Sequence, residues 1–398
     1  MRRMRWATWV AALALAALTS ARPAVGDVTS DQAAAILQYP FVYVEDSHAV
    51  TEGFDLYTDT VIQISNVSDA AVDVHCFWEN ANAHCTNTGD VCFFADECCT
   101  ESSLGCGVCF PSWNETDFRF RLTPRQPLAW LAGEGLTQFP LTGIGHSVGP
   151  DGSSNAGSRI PAVPEDPFIG LLKCVAVDPE TGSPVDRNVL KGEATLEFVE
   201  GVEGIDSMDA PSAAGFIPPI DVAEYNAVGI LAHPGANNGD NVLDLGPDGE
   251  GEYNGCPNLW ILNHFFDLVV DPVNQTIHQT GLVIVPCTED ILHQIPGAAV
   301  VQYLVYNEFE QRFSTSRPFD CQQALPISLI DTTDETRSIF SAGVAGTVTG
   351  QTRFTSVAGS GLLAVAIEGD VADGSALTAA FNVHFQGDRD QPDTIILP

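Results

Sequence analysis

Basic residues are scarce in this chain of 398 residues, where 16 lysines and arginines stand against 52 aspartates and glutamates. A nucleic-acid binder needs clustered Lys and Arg to displace counterions from phosphate, so that class is excluded. Beyond the N-terminus no stretch approaches ~18 uninterrupted apolar residues, so no membrane-spanning helix is expected. Helix signals are few; "SDQAAAILQ" (30–38), with a capping Ser or Asp before an alanine run, is the one expected helix. The nine histidines form no HExxH pair, and no D-x-D-x-D-G calcium loop occurs.

The N-terminus carries Arg2, Arg3 and Arg5, then an apolar core from Ala7 to Leu18, then small residues at Thr19–Ala21 and Ala24–Gly26. This reads as a secretory signal peptide over 1–26, with no cysteine at the cleavage region for lipid attachment. The whole chain carries −36; the leader holds four arginines and no acid, so 12 basic residues remain against 52 acidic ones, or −40. A solvated acidic coat on a secreted, extracellular or periplasmic protein is the simplest account.

Past the leader, strand-like runs dominate: "TVIQISNV" (60–67), "AVDVHCFW" (71–78), "GLLKCVAV" (170–177), "LWILNHFF" (259–266), "AVVQYLVY" (299–306) and "LLAVAIE" (362–368). Most alternate or are rich in β-branched and aromatic residues, and turn formers bound them. The expected fold class is all-β, with two sandwich domains in tandem over 27–200 and 221–388. "GVEGIDSMDAPSAAGFIPPI" (201–220) reads as the linker and 389–398 as a C-terminal tail. "AAVDVHCFWEN" (70–80) aligns with "AAVVQYLVYNE" (298–308), and "GLLKCVAVD" (170–178) with "GLLAVAIEGD" (361–370). Duplication and chance likeness of buried strands both remain open.

The strand spacing, with Trp78 following Cys76, resembles the immunoglobulin-like modules of bacterial envelope and secreted proteins. That resemblance implies a binding, adhesive or spacer protein more often than an enzyme.

Six of the eleven cysteines crowd into "CTNTGDVCFFADECCTESSLGCGVC" (85–109). After a leader peptide, disulfides are expected. Zinc is the rival, because Cys106 and Cys109 have ligand spacing; a zinc ribbon needs a second such pair. Residues 85–112 read as a small insertion too poor in apolar residues to fold unaided, each link contributing ~2–4 kcal/mol. The vicinal Cys98–Cys99 pair between outer pairs resembles knottin-like modules. That resemblance implies Cys85–Cys99, Cys92–Cys106 and Cys98–Cys109. Cys76 and Cys174, both on apolar strand faces, are expected to bridge the two sheets of the first sandwich, with Cys76–Cys85 as the alternative. In the second half Cys287–Cys321 is favoured, because both flank the same strand, leaving Cys256 free or paired elsewhere.

Chemistry-bearing motifs are thin. "GHSVG" (145–149) matches the esterase elbow, but "PDGSSNAGS" behind Ser147 cannot form the required helix. Glu308 and Glu310 in "YNEFEQRF" (306–313) are read as alternate residues on one strand face, at a spacing glycosidases use. Arg312 would neutralise them, with Phe309 and Phe313 packed inward. The acidic loop 237–255 offers Asp240, Asp244, Asp248, Glu250 and Glu252 to a structural calcium. Sequons stand at Asn66, Asn114 and Asn274. The expectation is a secreted or cell-envelope, non-enzymatic binding, adhesion or spacer protein. Its partner would be an extracellular protein or glycan and the stapled insertion its contact loop. The alternative is a polysaccharide hydrolase using Glu308 and Glu310.

Overall fold

The computed structural model describes residues 31–51, 54–92, 98–99, 106–136, 160–202, 221–247, 250–270, 276–372 and 374–398. Nearly all of its regular structure is β. The expected leader, most of the expected linker (203–220) and the esterase-like Ser147 lie outside the described residues.

The N-terminal half is organised by one long strand, Ile36–Thr51. Its first part pairs with Phe168–Val177 on one edge and Val228–Ile230 on the other. The register shifts between Tyr39 and Val42, where Pro40 interrupts the ladder, and the last part pairs instead with Phe54–Asn66. One strand therefore serves two layers. The first layer continues from Phe168–Val177 to Val72–Asn80 and Asn114–Leu122. The second runs from Phe54–Asn66, flanked by Pro127–Leu131, to Leu190–Val202 and Asp221–Asn226. Trp78, Trp130, Tyr39, Phe168, Ile62 and Leu190 fill the space between them.

The middle of the first layer is buried on both faces, whereas its edge strand Asn114–Leu122 alternates between buried and exposed residues. Strands Val72–Asn80 and Phe168–Val177 are buried almost throughout, and Phe77, Leu171 and Val175 join the core of the C-terminal half. Near-continuous apolar runs such as "GLLKCVAV" suit a strand with packing on two sides. The same burial converts the expected helix at 30–38. Ala34 and Ala35 are fully buried and Ile36 begins a strand, because the long strand's ladder outweighs the helix preference of alanine.

In the C-terminal half, a five-stranded sheet runs in the order Arg312–Asp320, Ala298–Asn307, Thr349–Gly359, Pro257–Phe265, His384–Asp388. A second sheet carries Val269–Val270, Ile277–Pro286, Leu362–Ala372 and Gly374–Asn382, with Gln323–Pro326 on the edge of Ile277–Pro286. Trp260, Tyr303, Phe354, Phe340 and Phe266 are buried in this core. In Ala298–Asn307 buried residues alternate with exposed or half-buried ones, so one face of the five-stranded sheet meets solvent.

Several expectations change here. The strands flanking the expected linker pair with each other, from Glu193 with Asn226 to Phe198 with Asp221. The linker thus joins neighbours in one sheet, and residues 221–230 belong with the N-terminal layers. The expected tail contributes Asp393–Ile396, which pairs with Val242–Gly246. The two strands aligned as repeats adjoin in the N-terminal half, as Val72–Asn80 and Phe168–Val177. Their counterparts, Ala298–Asn307 and Leu362–Ala372, lie in different sheets.

The cysteines also rearrange. Cys76 and Cys174 are bonded, but as directly opposed residues on adjacent strands with Cα atoms 4.1 Å apart. This bridge staples one sheet and does not join two. Within the insertion the bonds are Cys85–Cys98, Cys92–Cys109 and Cys99–Cys106, replacing the order that the knottin resemblance implied. Short strands Ala83–Cys85, Val91–Cys92 and Cys109–Pro111 gather these thiols, with Ala83 opposite Cys92 and Cys85 opposite Cys109, although the directly opposed Cys85 and Cys109 bond to other partners. In the second half Cys256 bonds Cys287, and Cys321 is a buried free thiol. Cys256 precedes strand Pro257–Phe265 and Cys287 follows Ile277–Pro286, so the strand ends bring them together.

Candidate binding face

The hairpin between Ala298–Asn307 and Arg312–Asp320 builds one rim of a shallow depression on the solvent side of the five-stranded sheet. Its turn is fastened by Asn307, whose Oδ1 accepts from the backbone N–H groups of Phe309 (3.0 Å) and Gln311 (2.9 Å). Asn307 Nδ2 donates to Gln311 Oε1 at 2.9 Å and to the Ala345 carbonyl at 2.8 Å. Glu310 takes a positive φ of 60° to close the turn. Phe309, expected to pack inward, is 72% exposed at the tip, whereas Phe313 packs against the core.

The depression, about 420 Å³, is lined by Tyr306, Glu308, Glu310, Thr349, Gln351 and Arg353 among others. Gly350 forms part of its floor. A Cβ there would stand 2.6 Å from the Phe266 ring and 2.9 Å from the Tyr306 carbonyl, so only glycine lets the strands close over the core. Across the face runs a polar row. Arg353 Nε donates to Gln351 Oε1 at 3.0 Å, and Gln351 Nε2 donates to Asn263 Oδ1 at 3.0 Å. The Arg353 guanidinium lies 5.8 Å from the centre of the Tyr306 ring.

Glu308 and Glu310 therefore occupy a turn and not one strand face. Glu308 Oε1 accepts from the Thr349 N–H (3.0 Å) and Oγ1 (2.8 Å), and that backbone bond holds its carboxyl below the usual value. A general acid needs the opposite shift.

A second cluster, invisible in the sequence, fastens the base of the cysteine insertion. Glu165 Oε1 accepts from Asn80 Nδ2 (2.5 Å) and from Asn82 Nδ2, while Glu165 Oε2 lies 3.0 Å from His84 Nε2. The other ring nitrogen, Nδ1, meets Ser112 Oγ. Ser112, His84 and Glu165 thus form a hydrogen-bonded relay of the kind that activates a serine. Separations of 28 and 81 residues between its members hid it from motif reading.

Two carboxylates of the acidic loop are spent internally. Asp240 accepts from the Val242 N–H at 2.8 Å, and Glu252 from the Asn238 N–H at 2.7 Å; Asp248 lies outside the described residues. Among the described residues, side chains close enough to share a metal are Cys85, Cys92 and Cys98, and Cys256, Cys287 and Asp393; every one of those cysteines is in a disulfide. The Asn66 sequon side chain is buried and bonded to the Ala70 carbonyl at 2.7 Å, Asn114 is exposed, and Asn274 lies outside the described residues. No helix among the described residues is long and apolar enough to cross a membrane.

No known protein family matches this chain, and no curated protein does. Among solved structures, the lectin from Pleurotus ostreatus in complex with GalNAc aligns over 90% of this chain and 86% of that one. The identity is 10% and the TM-score 0.15. At that score the likeness transfers neither a fold nor a ligand.

Proposed function

We propose that this is an extracellular, non-enzymatic binding protein that lays a glycan along the solvent side of its five-stranded sheet. The observation carrying the reading is the row Asn263–Gln351–Arg353 beside Tyr306. Sugars present ring C–H faces and fans of hydroxyls, which aromatic rings and planar amide or guanidinium groups accept together. A shallow open face suits an extended chain better than a small molecule, which a deep pocket encloses. The stapled insertion, with Val108 60% and Phe110 62% exposed, serves as a second contact surface. The test is titration against a panel of polysaccharides, comparing the parent with Tyr306→Ala and Gln351→Ala. Each substitution should weaken binding about tenfold, or ~1.4 kcal/mol. Unchanged affinity in both variants, or a parent that binds no glycan, sinks the reading.

A second reading, an extracellular hydrolase, is favoured by the Ser112–His84–Glu165 relay rather than by Glu308 and Glu310. Incubation with a fluorophosphonate decides it. Adduct on Ser112, lost in His84→Ala, supports the hydrolase; an unlabelled serine removes it.

A further inference from the structure

The chain has two lysines, Lys173 and Lys191, and Lys173 is fully buried. Its Nζ touches two carboxyl groups that are themselves no more than 2% exposed. Glu79 Oε1 lies 3.1 Å away, and Glu289 Oε2 is in direct contact. Lys173 and Glu79 sit on adjacent strands of the N-terminal inner layer. Glu289 comes from the other half, where Glu289–Asp290 pairs alongside Asp393–Ile396. Both carboxyls converge on the one Nζ, so Glu79 lies beside Lys173 and Glu289 together. Burial and then the Glu289 charge push the Glu79 carboxyl well above its usual range, which keeps a proton in the cluster. Burial alone would lower Lys173, but the two carboxylates outweigh it and hold the ammonium charged. The thiol of Cys321, raised chiefly by burial, feels the same charges, as does Glu115, whose Oε2 accepts from Gln294.

An ordinary buried ion pair needs one acid for one base. Here two carboxyls surround one amine in a water-excluded seam, with a third group placed to move protons. We infer that Lys173 and Glu289 condense into an intramolecular amide, with Glu79 as the proton carrier, so that the two halves of the protein become covalently joined.

The proton count allows it. An ammonium, a carboxylate and a carboxylic acid carry the same total charge as a neutral amine and two carboxylic acids. Passing one proton from Lys173 to Glu289 creates the reactive pair without separating charge in a low-dielectric site. Lys173 Nζ then attacks Glu289 Cδ. Glu79 donates its proton to the departing hydroxyl and takes one from the nitrogen. The C–N bond forms, a C–O bond breaks, one water leaves, and Glu79 ends as it began. No oxidant or cofactor is needed.

Proteolysis of the reduced, unfolded wild-type protein with trypsin, read by mass spectrometry, tests this directly. The expected product is a branched fragment joining the segments around Lys173 and Glu289, one water lighter than its two parts, with no cleavage after Lys173. Exposed Lys191 is the internal control and should be cut. Glu79→Gln should restore cleavage at Lys173 while leaving the circular dichroism of the folded chain unchanged. Normal cleavage after Lys173 in the wild type, or parts of unreduced mass, overturns the inference whether or not the variant folds.

Discussion

Gln351 Nε2 donates to Asn263 Oδ1 across neighbouring strands of the five-stranded sheet, at 3.0 Å. Gln351 lies opposite Asn263 on one side and opposite Tyr306 on the other. The row is thus a property of register, because a one-residue slip would turn all three side chains into the core. Arg353→Ala should leave the fold intact, since its side chain is exposed, and weaken glycan binding about fivefold to tenfold, or ~1 kcal/mol. Isothermal titration beside a thermal melt separates the two effects.

Gly350→Ala should do the reverse. The new Cβ meets the Phe266 ring and the Tyr306 backbone, and backbone cannot give way cheaply. A loss of about 1–3 kcal/mol in unfolding free energy is expected, measured by urea denaturation.

The disulfides should differ in worth. Cys76–Cys174 closes a sequence separation of 98, Cys99–Cys106 only 7. Loop-closure entropy puts the first near ~4–5 kcal/mol and the second near ~2 kcal/mol. Paired Cys→Ala variants, compared by chemical denaturation, should rank in that order; equal losses would mean that the reduced chain retains structure around Cys76 and Cys174.

Two buried groups should oppose each other below neutral pH. Asp267, bonded to the Thr280 and Ser328 N–H groups, is raised by burial from its ordinary 3.8 to about 6. Its folded form holds a proton that the unfolded chain has released, so its contribution is present below about pH 4 and is lost as pH rises through 6. His264, bonded to Thr352 Oγ1 and the Phe265 carbonyl, is lowered by burial from 6.5 to about 4. The unfolded chain binds its proton first, so stability from this group is present above about 6.5 and lost as pH falls toward 4. Each is worth about 3 kcal/mol. In Asp267→Asn the His264 slope should stand alone, and denaturation midpoints should rise between pH 4 and 6 more steeply than in the parent.

Strand positions are legible in the sequence wherever one face is wet. The alternation in 298–307 reads directly as a half-buried strand, since side chains on a pleated backbone point to opposite sides in turn. Strands buried on both faces lose that alternation, and alanines at 34–35 read as helix until the neighbouring ladder is known. Site legibility was lower. Glu308 and Glu310 look like a strand pair because nothing local announces the turn that Asn307 ties. Cysteine partners depend on which strand ends meet, and spacing along the chain does not encode that.

The sequence by itself determined the all-β character, the acidic charge, the lack of a membrane-crossing helix in its described part and the cysteine-rich insertion, because each follows from local composition or period. Only the tertiary structure decided that residues 221–230 join the N-terminal layers, that Cys256 takes Cys287, that Ser112, His84 and Glu165 converge, and that Glu289 reaches Lys173 across the seam. Those outcomes depend on strand order, and strand order is chosen by burial summed over residues far apart in the chain.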